Sequence, residues 1–344
     1  GDIPSRSTDY AYISILKNIT ITAMSSANQT GDSAFVLLGL SSDTGQQQLL
    51  FLLFLTLYLV TVGGNLLIIL AIGADSHLHS PMYFFLANLS LVDICFSSTT
   101  VPKMLANMQT GSHTISYVGC LSQVYFSFLF GDLDDFLLAV MAFDRFMAIC
   151  QPLGYTTAMR PRCCVRLVAT CWIIAQLNSL LHTILLAQLA FCANHTVPHF
   201  FCDLTPLLAL SCSDASINKM MLMSVGGVVI LIPLICILGS YAHIISAVLK
   251  MPSAGSKRKA FSTCGSHLVV VMLFYGTVIG VYLCPSHSGS ADESSLAAVL
   301  YAVVTPLLNP FIYSLRNHDL HRALHKLFFQ RMPFILLESF QGPK

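Results

Sequence analysis

CLSQVYFSFLFGDLDDFLLAVMAFDRFMAICQP, running from Cys120 to Pro152, is the stretch on which the reading of this chain turns. It is apolar enough for a membrane-spanning helix, yet it holds Asp132, Asp134 and Asp135 in its middle and Asp144 and Arg145 near its end. A carboxylate at the centre of a bilayer helix costs about 2.5–3.5 kcal/mol on insertion scales. Three of them on a lipid-facing surface would not be tolerated, so this helix must wall a protein-lined polar interior. At about 100° per residue, Ser127, Gly131, Asp134, Leu138 and Arg145 fall on one side of it. The pattern predicts a helix that other helices pack around.

The whole chain is built in the same style. Mean hydropathy is +0.72 and 10% of residues are charged, against about 25% in an ordinary soluble protein. That composition fits a polytopic membrane protein surrounded by lipid. A net charge of +1 leaves no basic footprint to neutralise phosphates, which excludes nucleic acid as a partner.

Apolar runs long enough to span, at about 20 residues each, lie near 49–73, 82–106, 117–150, 164–187, 217–249, 261–284 and 295–315. The expected fold is therefore all-α: a bundle of seven transmembrane helices. Residues 1–48 read as a polar extracellular tail without a signal peptide, 49–316 as the transmembrane domain and 317–344 as a cytoplasmic tail. The chain begins without Met, and Met24 opens a candidate natural start, which sets residues 1–23 apart. PSAGSKRK, between the fifth and sixth runs, reads as a short flexible basic loop. HDLHRALHKLFF, after the seventh, reads as an amphipathic helix on the membrane surface.

Orientation follows from Lys and Arg, which collect at one side: Arg160, Arg162 and Arg166; Lys250, Lys257, Arg258 and Lys259; Arg316, Arg322, Lys326 and Arg331. That side is cytoplasmic, so the N-terminus is outside. The sequons at Asn18, Asn28 and Asn194 all fall on the outer side and are expected glycosylation sites, whereas the one at Asn88 lies inside the second span. Cys120, Cys192, Cys202 and Cys212 also flank spans on the outer side, where disulfides persist. Four cysteines allow three connectivities, and spacing does not choose among them.

PMYFFLANLSLVD (81–93), MAFDRFMAIC (141–150), KAFSTCGSHL (259–268) and PLLNPFIYSLRN (306–317), together with Gly64-Asn65 in the first run, give the chain a resemblance. It resembles the odorant receptors, the olfactory branch of the rhodopsin-like G-protein-coupled receptors, from about residue 33 to 329. Phe143 and Phe146 stand where that family usually has tyrosines, and Gln151 where it usually has His.

The resemblance implies roles for individual residues. It selects the bridges Cys120–Cys202 and Cys192–Cys212, which would pin the long outer loop as a lid. It places the ligand pocket at Ser127, Phe128, Gly131 and Asp132 on the third span and Ser179 and His182 on the fourth. Val225 and Val229 on the fifth, and Tyr275, Val278, Ile279 and Tyr282 on the sixth, complete it. Odorants are small and mostly apolar, so a closed cavity with few polar anchors is expected. Asp132 needs a partner or a proton when buried; His182 is one candidate, a backbone carbonyl facing a protonated Asp132 the other.

Asp144 and Arg145 form either a carboxylate–guanidinium lock or a plain interfacial anchor, and the resemblance favours the lock. It also favours Tyr241 and Tyr313 as inward-turning switch residues, the latter beyond Pro310, which permits a kink. Lys259, with its basic neighbours, would contact a G-protein α subunit. Asp93 and Asp134, with Asn65 nearby, read as a sodium- or proton-linked site by resemblance, or as a water-bridged polar cluster without an ion. No other cofactor or metal is expected.

The function implied is a receptor for small volatile odorants. It would activate the heterotrimeric stimulatory olfactory G protein, raise cAMP, and reside in the plasma membrane of sensory cilia. A proton- or ion-linked transporter is the rival suggested by the buried acids, although the internal repeats usual in transporters are not evident. No GxSxG, HExxH or phosphate-cradling loop suggests an enzyme.

Overall fold

A bilayer offers no hydrogen-bond partner to an open backbone, so long apolar runs close their bonds internally as helices. The structure, a computed structural model, describes residues 34–40, 43–192, 195–282, 299–316 and 318–327; within these it does not describe the side chains of 44, 256, 259, 262, 263, 280–282, 315, 316 and 318. The expected glycosylation sites Asn18, Asn28 and Asn194, and the side chains of Lys259 and Tyr282, lie outside the described residues.

Helix α1 spans Thr44–Ala74, α2 Pro81–Thr110, α3 Tyr117–Cys150 and α4 Pro161–Ala187. Helix α5 covers Ser216–Leu249, including a π-helical turn at Leu222–Gly226. Helix α6 is Ala254–Tyr282; α7 begins as a π-helical turn, Leu300–Val304, and continues through Thr305–Arg316; α8 is His318–Lys326. The starts are written in the sequence: Asp43 accepts from the Gly45 N–H at 3.2 Å, Ser116 from Gly119 at 3.1 Å, and α2 and α4 open on prolines. Gly111, at φ 66°, ends α2 in the left-handed conformation.

By length and composition α1, α2, α4 and α5 are apolar enough to cross a membrane. The stretches Cys264–Ile279 and Leu300–Ser314 are apolar but shorter, and α3 carries four aspartates and an arginine. The basic segment expected as a loop departs from its reading: from Ala254 onward it is helical, with the Lys257 N–H on the Ser253 carbonyl at 3.1 Å. Ala, Lys and Arg are good helix formers, no proline follows Pro252 in that segment, and Gly255 in the first turn is tolerated.

Helix α3 is the hub, packed against α2, α4, α5 and α6. Leu133, Leu137 and Leu138 on it are sealed among Phe85, Leu86 and Leu89 of α2 in the main core. A second core closes one end of the bundle. There β1, Ala34–Leu37, lies between β2, Thr114–Ser116, antiparallel to it, and β3, Thr196–Val197, parallel to it. Phe35 packs under this small sheet against the rings of Tyr117, Phe191 and His195. The strand had no place in a polar tail over 1–48; four residues of alternation, AFVL, are too few to announce it. Cys120 is bonded to Cys202 and Cys192 to Cys212 at this same end.

At the opposite end α8 packs on α1, burying Leu320, Ala323 and Leu327. Lys326 Nζ stands 3.4 Å from Asp75 Oδ2 in the turn after α1. The Asp75 carboxyl is held down at about 2, first by the His77 N–H and then by the His77 ring, with Lys326 adding attraction.

Candidate functional site

Between α3 and α4 the side chains form a ladder. Phe128 and Asp132 on α3 are one helical turn apart, as are His182 and Asn178 on α4, and the helices run antiparallel. The upper rung is ring against ring, Phe128 to His182, with centroids 5.0 Å apart. The lower rung is polar: Asn178 Nδ2 donates to Asp132 Oδ2 at 2.8 Å. The Asp132–His182 pair named as a candidate is therefore not formed. Asn178 stands opposite Asp132 because both lie one turn deeper than Phe128 and His182. His182 is 1% exposed, its Nε2 has no partner, and it lies against Gly226 in the π turn of α5.

Other expected pocket residues are brought to the same depth. Ser127 is half-buried with an unpartnered hydroxyl, and Ser179 donates to the Tyr125 carbonyl, joining α4 to α3. Val225, in the π turn, and Val229 are half-buried on α5. Tyr275 and Val278 are buried on α6, and Tyr275 Oη donates to Asp135 Oδ1. Gly131 is covered by the hydroxyl of Tyr301 from α7. Ile279 is not brought to this site: it is 45% exposed and shares an outward stripe with Met272 and Gly276, about two turns and one turn earlier on α6. Two small cavities lie elsewhere, one beneath β1 at Phe200 and one between α5 and α6 at Tyr241 and Cys264.

Deeper in the bundle, Asp93 on α2 accepts from Asn309 Nδ2 with both oxygens, at 3.0 Å each. Asn65 does not join them; its amide donates to the Thr61 and Pro306 carbonyls at 3.1 and 3.2 Å, tying α1 to α7. Asp134 faces this group as the neighbouring acid of Asp93, with Oδ1 unpartnered, and Asn309 Oδ1 and Ser97 Oγ are also buried without partners. The donors are all oxygen, which suits a hard cation such as sodium. Among the described residues no group of three His, Cys, Asp or Glu could hold a metal ion.

At the Cys150 end of α3 the expected Asp144–Arg145 lock gives way to another pair: Asp144 Oδ1 accepts from Tyr155 Oη at 2.9 Å. Adjacent residues on a helix point about 100° apart, so Asp144 turns to the short helix Pro152–Ala158 and Arg145 turns inward, half-buried. Phe146 packs on His243 of α5, centroids 5.7 Å apart, and Phe143 on Phe146. Tyr241 is buried with its hydroxyl 2.8 Å from His267 Nδ1, while His267 Nε2 lies 3.1 Å from the Leu138 carbonyl. Tyr313 is buried with an unpartnered hydroxyl.

Asn178, Tyr155, His267 and Tyr301 carry contacts that reading the sequence missed. Each is a polar or aromatic residue in or beside an apolar run, which is a signal in itself. His267 lies inside KAFSTCGSHL, a stretch that served only to suggest kinship.

Comparison with known proteins points the same way. A family model described as "Olfactory receptor" matches residues 54–331. Olfactory receptor 1f45 of Rattus norvegicus is 61% identical over 310 residues, covering 90% of this chain and 99% of that protein. Olfactory receptor 1F1 of Homo sapiens is 59% identical over 304 residues, 88% of this chain and 97% of its own length. Olfactory receptor 1M1 of Mus musculus is 58% identical with the same coverage.

Proposed function

The chain belongs to the olfactory receptor family, a family of receptors and not of enzymes, and from that premise we propose how it works. It senses odorants through G-protein-coupled signalling as a multi-pass membrane protein. The fuller reading is a bundle of seven spans with the N-terminus outside, in the plasma membrane of sensory cilia, coupled to the stimulatory olfactory G protein and cAMP.

The observation that carries this reading is the polar belt of α3. Ser127, Asp132, Asp134 and Asp135 face protein at mid-helix while Arg145 turns inward at the cytoplasmic end. A small volatile ligand settles between α3, α4, α5 and α6, against Phe128, Asp132, His182, Val225, Val229 and Tyr275. It shifts the equilibrium only by its differential affinity for the active arrangement. The α5–α6 contact at Tyr241 and His267 then opens, and Arg145 receives the G protein. Sodium bound at Asp93 and Asp134 would offset one of the two carboxylate charges and hold α2 to α3. The outer sheet and both disulfides close the entrance.

The transporter reading is set aside by family membership. The test is cAMP measured in cells co-expressing this chain and the olfactory G protein, against a broad panel of volatiles, with surface staining and an Arg145→Ala control. A response that vanishes with Arg145→Ala supports the reading. A response that survives it, or a surface-expressed chain that signals through a different second messenger, overturns the coupling.

A further inference from the structure

Gly131 is the residue without a side chain on the mid-membrane face of α3, and a phenol occupies the space it leaves. A β-carbon added there would collide with Tyr301 Oη, with Tyr301 Cζ 3.6 Å away. The tip of a side chain from α7 thus lies directly on the backbone of α3. Its ring is held from two more helices. Phe96 of α2 meets it edge-on with centroids 5.0 Å apart, and Phe274 of α6 meets it tilted at 6.1 Å. Phe274 in turn packs edge-on against Tyr275, centroids 5.3 Å apart, whose hydroxyl is bonded to Asp135. Tyr301 sits in the π-helical turn Leu300–Val304, a form that is rare and appears frequently at functional sites. Among the described residues its hydroxyl has no hydrogen-bond partner, although Asp132, Asp134 and Asp135 surround it electrostatically.

We propose that Tyr301 is a positioning residue of the ligand-operated switch, seated in the notch left by Gly131. Four helices meet on this one ring: α3 at its tip, α2 and α6 at its faces, α7 at its root. The ring cannot tilt off Gly131 without moving Phe274 and hence Tyr275. A ligand head group reaching the Gly131–Asp132 face of α3 competes for the space of the unpartnered hydroxyl and so bears on α6 and α7 together. The proposal rests on the receptor reading above.

A double-mutant cycle tests it: the full chain, Gly131→Ala, Tyr301→Phe and the double variant, with Gly73→Ala as a control whose added methyl meets nothing within 4 Å. Two readouts are taken: cAMP without added ligand, per surface receptor, in cells carrying the olfactory G protein; and the melting temperature of the detergent-purified chain. Gly131→Ala is expected to raise unliganded cAMP about fivefold, the low end of usual coupling between sites, and to lower the melting temperature by several degrees. Tyr301→Phe removes the colliding oxygen, so the double variant returns to the values of Tyr301→Phe alone, while Gly73→Ala matches the parent. If Gly131→Ala fails to reach the surface, restored surface staining in the double variant is the same rescue. Additive effects overturn the notch. A coupled melting temperature with unchanged cAMP overturns the positioning role and leaves a structural contact. If neither the parent nor Gly131→Ala raises cAMP above empty cells, the switch role is overturned, while the melting cycle still decides the contact and the volatile panel above decides the coupling.

Discussion

Tyr241 Oη and His267 Nδ1 stand 2.8 Å apart, and His267 Nε2 stands 3.1 Å from the Leu138 carbonyl, so one imidazole joins α3, α5 and α6. A carbonyl only accepts, which assigns the proton to Nε2 and leaves Nδ1 to accept from the phenol. Both groups are buried, with His267 fully so. Tyr241→Phe and His267→Phe are each expected to cost about 1–3 kcal/mol, the usual loss when a buried partner is left unsatisfied. The double variant should lose less than the sum, because the second change removes a group already orphaned. Thermal unfolding of the four purified proteins measures this; strict additivity would show that the bond contributes nothing.

Asp93 depends on Asn309 for two hydrogen bonds, and Asp134 next to it has none at Oδ1. Asn309→Ala should destabilise by about 1–3 kcal/mol, since a buried carboxyl is left without its partner. If a sodium ion bridges the two acids, replacing choline chloride with sodium chloride raises the melting temperature of the parent. The same exchange leaves Asp93→Asn and Asp134→Asn unmoved. Identical sodium responses in all three proteins would remove the ion from the reading.

The two disulfides close loops of different size, with sequence separations of 82 and 20. Loop-closure entropy assigns about 4.5 kcal/mol to the longer and about 3 kcal/mol to the shorter. Replacing Cys120 and Cys202 with serine should therefore reduce surface expression more than replacing Cys192 and Cys212. Cys120–Cys202 also ties the start of α3 to the loop between α4 and α5. Flow cytometry on intact cells compares the two pairs, and equal losses would contradict the entropic ordering.

Asp75 links the turn after α1 to α8 through Lys326. Its carboxyl titrates at about 2, below the ordinary carboxylate value of about 3.9. A depressed folded-state value means that the stabilising contribution is present above about 3.9 and is lost as the pH falls through about 2. Hydrogen exchange in α8 of the purified chain should accelerate across that window. Asp75→Asn should show faster exchange at neutral pH and no acid step. An unchanged acid step in Asp75→Asn would assign it to another group.

The membrane class, the helix positions and the central place of α3 were legible because they follow from one-dimensional signals. Asp132, Asp134 and Asp135 in an apolar run cannot face lipid, whatever their partners are. The cap at Asp43 and the proline at 81 mark helix starts in the same local way. Partner identity was not legible. Asp132 meets Asn178 and not His182, a choice set by the depth and rotation of one helix against another, and Asp144 turns to Tyr155 because adjacent residues on a helix point about 100° apart. Ile279 fell outside the site for the same reason, since a small rotation of α6 turns it outward beside Val278.

By itself, the sequence determined that this is a mostly helical membrane protein with a polar seam inside, and its motifs determined the kinship. Hydropathy, charge placement and capping act within a few residues along the chain, so they survive without a structure. Only the tertiary structure decided that Tyr301 lies on Gly131, that His267 joins three helices, and that a strand at Ala34–Leu37 roofs one end. Those relationships span from 26 to about 170 positions of chain and are set by how helices pack, at distances where one ångström separates a bond from a gap.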